Sequence, residues 1–224
     1  MMNHQFTVLF DIDGTLLLAG GAGMLAINQT FREMFGIENE VKVPLRGRTD
    51  YGILGDLFRA HQISFDDHYR KFSDRYHELL LECLPKTDGK LLPGVATLLE
   101  NLSESGFRLG IVTGNARSAA KAKLEFFGLQ RFFCFGGYGD DSANRDDVAR
   151  AAVDSAIEHL GADFDIRKCW VIGDTPADVR CARSVGAKAA AVLTGGYAIT
   201  DFNEAKPDLI LSDLREFSHK EIQN

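Results

Sequence analysis

From Pro93 onward the chain alternates short apolar runs with helix-length segments that end in glycine, and this limits the folds open to it more than any other feature. The periodicity predicts a helix over Val95 to Ser105 stopped by Gly106, then a strand over Arg108 to Thr113. A helix over Ser118 to Phe127 ends at Gly128, and a short aromatic strand follows over Phe132 to Phe135. A long helix over Asp146 to Leu160 leads to a strand over Cys169 to Gly173, and a helix over Asp178 to Val185 closes at Gly186. Strands over Ala189 to Leu193 and Leu209 to Leu211 complete the series. Glycine after a helix supplies the left-handed residue that terminates it. Strands separated by helices cannot pair as hairpins, so the pattern predicts an α/β fold with a parallel sheet covered on both faces.

The first strand lies far from the rest. Val8-Leu9-Phe10 is a continuous apolar run of the kind a strand buried on both faces requires. Helical patterns then cover Ala22 to Phe35, Asp50 to His61 and Asp66 to Leu84, with no convincing strand between them, so this stretch reads as an all-helical insert. Its aromatic residues Tyr51, Phe58, Phe65, Tyr69, Phe72 and Tyr76 read as the insert's own core, because a helical layer must bury one face.

Chemistry concentrates where the apolar strands stop. Asp11 and Asp13 follow the first strand, and Gly14 permits a tight turn that brings both carboxylates into one cavity. Acids this close repel one another unless a cation or a shared proton relieves the charge. Open α/β sheets bind ligands at this edge. Ile111-Val112-Thr113-Gly114-Asn115 ends a second strand in a hydroxyl followed by peptide N–H groups, a set able to hold phosphoryl oxygens without adding charge. A third strand ends in Gly173-Asp174, with Asp178 one helical turn later, where it either faces the same edge or caps the helix that follows.

Asp11-x-Asp13-Gly-Thr, then Thr113, then Gly173-Asp174-x-x-x-Asp178 resembles the motif order of the haloacid dehalogenase superfamily of aspartate-nucleophile phosphohydrolases, over nearly the whole chain. Gly20-Gly21-Ala22-Gly23 and Gly47-Arg48-Thr49-Asp50 resemble its phosphoglycolate-phosphatase-like branch. The resemblance implies a Rossmann-like three-layer core from residues 1–18 and 86–224, with residues 19–85 as a helical cap. It also implies that Asp11 is the nucleophile and Asp13 the proton carrier. Mg²⁺ would be held by the carboxylates of Asp11 and Asp174 and the main-chain carbonyl of Asp13. Thr113, Gly114 and Asn115 would bind the phosphoryl group, and Asp178 would support the metal's waters or orient a cation.

The chain departs from the family at one place. A lysine commonly precedes the last acidic motif, but none lies between Lys123 and Lys168; Arg145 stands there instead. Arginine keeps the charge and adds a planar fork suited to two oxygens, so Arg145 is expected to supply the site's fixed cation. Arg46 and Arg48, in the loop between insert helices, are candidates for touching substrate, Arg48 the one carried over with the motif. Gly21-Ala22-Gly23-Met24-Leu25-Ala26 fits a dinucleotide fingerprint only formally, since it does not directly follow a strand.

Composition narrows the partners. With 32 acidic against 25 basic residues the net charge is −7, which disfavours nucleic acid or an anionic membrane surface. The four cysteines show no metal-like spacing and read as reduced, mostly buried thiols of a cytoplasmic protein; Cys134 and Cys169 sit in apolar runs. The expected activity is hydrolysis of a small phosphorylated metabolite such as phosphoglycolate or a sugar phosphate. A phosphomutase of the β-phosphoglucomutase type and a non-catalytic phosphometabolite sensor are the alternatives. Dehalogenation is disfavoured by Asp13, because that reaction has no leaving alkoxide to protonate.

Overall fold

The computed structural model describes residues 6–38 and 41–218. Six strands form one parallel sheet in the order β5-β4-β1-β6-β7-β8, where β1 is Thr7–Phe10, β4 Arg108–Val112, β5 Phe135–Gly137, β6 Cys169–Gly173, β7 Lys188–Val192 and β8 Leu209–Leu211. Both faces are covered. Val8 and Phe10 point into a core shared with α4 (Val95–Glu104) and α5 (Arg117–Phe126). Leu9 points the other way, into a core built with α6 (Arg145–Leu160) and α7 (Pro176–Val185). Successive strand side chains alternate between faces, so a strand with helices on each side is apolar at every position.

Between β1 and the rest of the sheet stand three helices, α1 (Ala22–Phe35), α2 (Asp50–Ala60) and α3 (Phe65–Cys83). Phe31, Phe58 and Phe72 meet at their centre, with ring centroids 4.8 to 5.5 Å apart, and all three are fully buried. The two ends of this layer are joined by a small antiparallel pair, β2 (Leu17–Leu18) with β3 (Lys90–Leu91), in which Leu17 faces Leu91. Helix α2 begins where the Thr49 hydroxyl accepts the Gly52 N–H at 3.1 Å, an N-cap that satisfies one of the first turn's orphan donors.

Most expected elements fall within one or two residues of those observed; the aromatic strand does not. Gln130–Phe132 is a turn of 3₁₀ helix, and the strand is Phe135–Gly137. Cys134, expected inside it and buried, is exposed, whereas Cys83, Cys169 and Cys181 are buried free thiols. Among the described residues no helix is long and apolar enough to cross a membrane.

Candidate active site

The sheet register aligns three chain turns at one edge. Phe10 lies opposite Ile111 on one side and Ile172 on the other, so Asp11, Thr113 and Asp174 all emerge within a residue of the strand ends. The Asp11 N–H donates to the Ile172 carbonyl at 2.9 Å, which continues the ladder up to the acid itself. Gly14 then turns the chain with φ 86°, and an added Cβ there would lie 2.5 Å from an Asp174 carboxylate oxygen. Any other residue at position 14 would strain the turn and strike that acid.

Asp11, Asp174 and Asp178 each bring a carboxylate oxygen within 4.8 Å of the other two, and all three are buried. Burial pushes Asp11 up to about 7, reinforced by the Asp178 charge and opposed by Arg145. Burial and the Asp11 charge push Asp174 up to about 8. Three mutually repelling buried carboxylates are a donor set suited to a hard divalent cation, and the family-implied metal fits them. The Asp13 carboxylate stands outside this cluster.

Asp178 has two partners. One oxygen accepts from the Thr175 N–H at 3.0 Å and its hydroxyl at 2.7 Å, closing a capping box at the start of α7. The other oxygen accepts a hydrogen bond from Arg145, whose guanidinium also lies 3.8 Å from Asp11. The helix-cap and cation-orienting roles therefore coexist in one side chain. Arg145 follows Asn144, whose side chain accepts the Asp146 N–H at 3.0 Å and starts α6 at this point. Although burial opposes its charge, the paired acids hold Arg145 firmly protonated. Its buried Nε finds no hydrogen-bond partner among the described residues.

A second fixed cation occupies the site, contrary to the expectation that Arg145 stood alone. The Lys123 ammonium, on α5 and almost fully buried, donates to Asp13 Oδ2 and to Asn115 Oδ1, each at 2.6 Å. Asn115 in turn donates through Nδ2 to the same Asp13 oxygen at 2.8 Å and to Thr113 Oγ1 at 2.9 Å. Its backbone N–H also leans toward Thr113 Oγ1, at 3.3 Å. Lys123 and Asn115 thus fix one oxygen of Asp13, and the expected phosphoryl-binding Asn115 is first a holder of Asp13. Lys123 lies in an alanine-rich helix with no motif around it, and only its place less than two turns into the helix that follows the Thr113 loop hints at the reach.

The insert forms the roof. Asp11, Asp13, Thr113, Gly114, Asn115, Arg48, Arg145 and Asp174 line one cavity of about 510 Å³, together with Leu18, Met24, Ile27, Leu45, Ile53 and Tyr76. Helix α2 docks on the floor through its first N–H groups, with Asp50 N donating to the Gly114 carbonyl at 2.7 Å and Tyr51 N to that of Gly139 at 3.2 Å. The Asp50 side chain accepts the Ala116 N–H at 2.9 Å, and burial pushes it up to about 6. Arg48 lines the cavity, but its guanidinium is tied to Asp56 at 2.8 Å and to the Gly52 carbonyl at 3.1 Å. Tyr76, expected to serve the insert's own core, also reaches this cavity.

Residues 8–192 match the family described as haloacid dehalogenase-like hydrolase. The chain belongs to the haloacid dehalogenase-like hydrolases. It is 27% identical over 206 residues to a phosphoglycolate phosphatase from Aquifex aeolicus, covering 92% of this chain and 91% of that one. It is 28% identical over 220 residues to the pyrophosphatase PpaX of Halalkalibacterium halodurans, covering 93% of each. Among solved structures, CbbY from Rhodobacter sphaeroides in complex with phosphate superposes with a TM-score of 0.75 over 95% of this hydrolase and 96% of that chain, at 19% identity, a likeness of fold.

Proposed function

We propose that this hydrolase is a Mg²⁺-dependent phosphatase of a small phosphorylated metabolite, with residues 19–85 as a cap closing over the site. The observation that carries the proposal is the convergence of Asp11, Asp13, Thr113 and Asp174, from three strand ends, on one cavity that also holds Lys123 and Arg145. An Asp11 oxygen attacks phosphorus, the ester P–O bond breaks, and the leaving oxygen takes a proton from Asp13. Water then attacks the aspartyl-phosphate and gives a proton back to Asp13, which releases phosphate and restores the Asp11 carboxylate.

Geometry favours this division of labour. Lys123 and Asn115 hold Asp13 Oδ2 from one side, which leaves Oδ1 to face the leaving group. Arg145, anchored on Asp178, lies against Asp11 and meets the charge of the transferring group. A divalent ion held by Asp11, Asp174 and the Asp13 carbonyl, with Asp178 supporting it from behind, would supply Lewis-acid charge neutralisation between an anionic nucleophile and an anionic phosphate.

Similarity to a phosphoglycolate phosphatase and to a pyrophosphatase makes phosphoglycolate and pyrophosphate the first substrates to try. The test is a screen of phosphorylated metabolites with purified protein, with and without Mg²⁺, reading released phosphate and isomerised sugar phosphate together. Mg²⁺-dependent phosphate release is the expected result. Isomerisation without net release would establish the phosphomutase, and inertness toward every ester would leave a sensor.

A further inference from the structure

Four cationic side chains line the cavity: Arg46, Arg48, Lys123 and Arg145. Three are engaged by carboxylates, Arg48 by Asp56, Lys123 by Asp13 and Arg145 by Asp178. Arg46 has no carboxylate partner among the described residues. Its guanidinium carbon instead stands 5.7 Å from the centre of the Tyr197 ring, beside Gly196, where an added Cβ would come within 3.2 Å of the Arg46 Nη2. Stacking on an aromatic face holds the fork in place without neutralising it.

Its position relative to the acids follows from the neighbouring residues. Gly195, just before Gly196, has no room for a Cβ because the Asp174 carboxylate fills that space. Gly47, just after Arg46, approaches Thr175 and Ala177, so that a Cβ there would stand 3.0 Å from the Ala177 side chain. Arg46, itself exposed, therefore stands at the mouth of the cavity, where the insert meets the loops on either side of Asp174. Leu18, Met24, Ile27, Leu45 and Ile53 give the same cavity an apolar lining.

We infer that Arg46, seated on Tyr197, is the specificity-determining cation that reads a second anionic group on the substrate's leaving group. The inference rests on the phosphatase proposal above. The unreacting end carries a carboxylate or a second phosphate, and an uncharged or cationic leaving group has no counterpart there. An unneutralised, pre-oriented guanidinium in a site otherwise rich in carboxylates gains a charge-assisted contact only from such an anion.

The test compares wild type, Arg46→Gln, Arg46→Lys and Tyr197→Leu on phosphoglycolate, pyrophosphate and p-nitrophenyl phosphate, all with Mg²⁺. The readout is the ratio of kcat/KM on each two-anion substrate to that on p-nitrophenyl phosphate, which carries no second anion. In Arg46→Gln the ratio should fall roughly tenfold or more, mainly through KM. It should fall less in Arg46→Lys and Tyr197→Leu, and the arm that falls further distinguishes carboxylate from phosphate recognition. Ratios within twofold of wild type in both Arg46→Gln and Tyr197→Leu would overturn the inference. So would a wild-type enzyme that hydrolyses p-nitrophenyl phosphate and neither of the others. A wild type inert toward all three overturns the phosphatase proposal instead.

Discussion

The floor and the roof of the cavity are built on opposite terms. On the floor, Asp11, Asp13, Asp174, Asp178, Lys123 and Arg145 gather from two strand ends and three helices, with Asp13 held by Lys123 and Asp178 by Arg145 while Asp11 and Asp174 repel one another. On the roof, the cavity meets mainly apolar side chains, while the insert's cohesion comes from a ring cluster lying away from the chemistry. Under the proposed function, reaction falls to a mutually dependent charge array. Choice of substrate then falls to a layer with few charges of its own at the cavity.

The comparison breaks if damage to one region behaves like damage to the other. Asp11→Asn keeps the shape and removes the nucleophile, so turnover should drop by roughly four orders of magnitude or more with thermal stability at or above wild type, since an uncharged amide relieves the buried repulsion. Substantial residual phosphate release from that variant would sink the aspartyl-phosphate route. Phe72→Ala empties the roof's ring cluster and should cost about 3–5 kcal/mol in chemical denaturation. A divalent-ion titration of the folded variant should still match wild type, and loss of ion binding would show that floor and roof are one unit.

Smaller effects refine the division. Arg145→Ala should lower kcat at least about tenfold, the scale of losing one transition-state charge contact, with a lesser change in KM. An unaltered kcat would assign the charge role to Lys123 alone. Lys123→Met should slow alkyl phosphates several times more than p-nitrophenyl phosphate, because only an alkoxide needs the proton that Asp13 carries; equal slowing would reduce Lys123 to a structural role.

The smallest effect is thermal and depends on pH. Asp11, Asp50 and Asp174 keep their protons in the folded protein up to about 7, 6 and 8, whereas the unfolded chain loses them near 3.8. Between pH 4 and 8 the native state thus binds more protons, so the stability of metal-free protein must fall as pH rises. Mg²⁺ held by the proposed ligands would relieve the repulsion between Asp11 and Asp174, so its stabilising increment in Tm should be larger at pH 8 than at pH 5. Equal increments at both would contradict the proposed ligand set.

Much of the sheet could be read in the sequence because a doubly covered strand has to be apolar at consecutive positions, as Val8 to Phe10 and Cys169 to Ile172 are. The strand at Phe135–Gly137 escaped for a tertiary reason. Cβ atoms on Gly136 and Gly137 would strike Ile111 and α6, so the chain there is small because it is crowded, and local pattern favours the aromatic residues before it. Asp11, Thr113 and Asp174 were legible as polar stops to apolar strands. Lys123 was not, because it meets Asp13 across 110 residues and looks in its own helix like any surface lysine. The loop arginines posed a related difficulty, since sequence cannot tell that Asp56 occupies Arg48 while Arg46 keeps an aromatic neighbour.

The docking of α2 has a consequence for turnover. The carbonyls it covers, those of Gly114 and Gly139, belong to peptides that water could equally well solvate. Exchanging such backbone bonds for water bonds changes free energy by only about 1 kcal/mol each. Beneath α2 the roof is therefore held by contacts that are firm in geometry and shallow in free energy, while its other helices share an apolar core with the sheet. Under the proposed function, a molecule enclosed at that edge would be detained by its own fit rather than by the strength of the door.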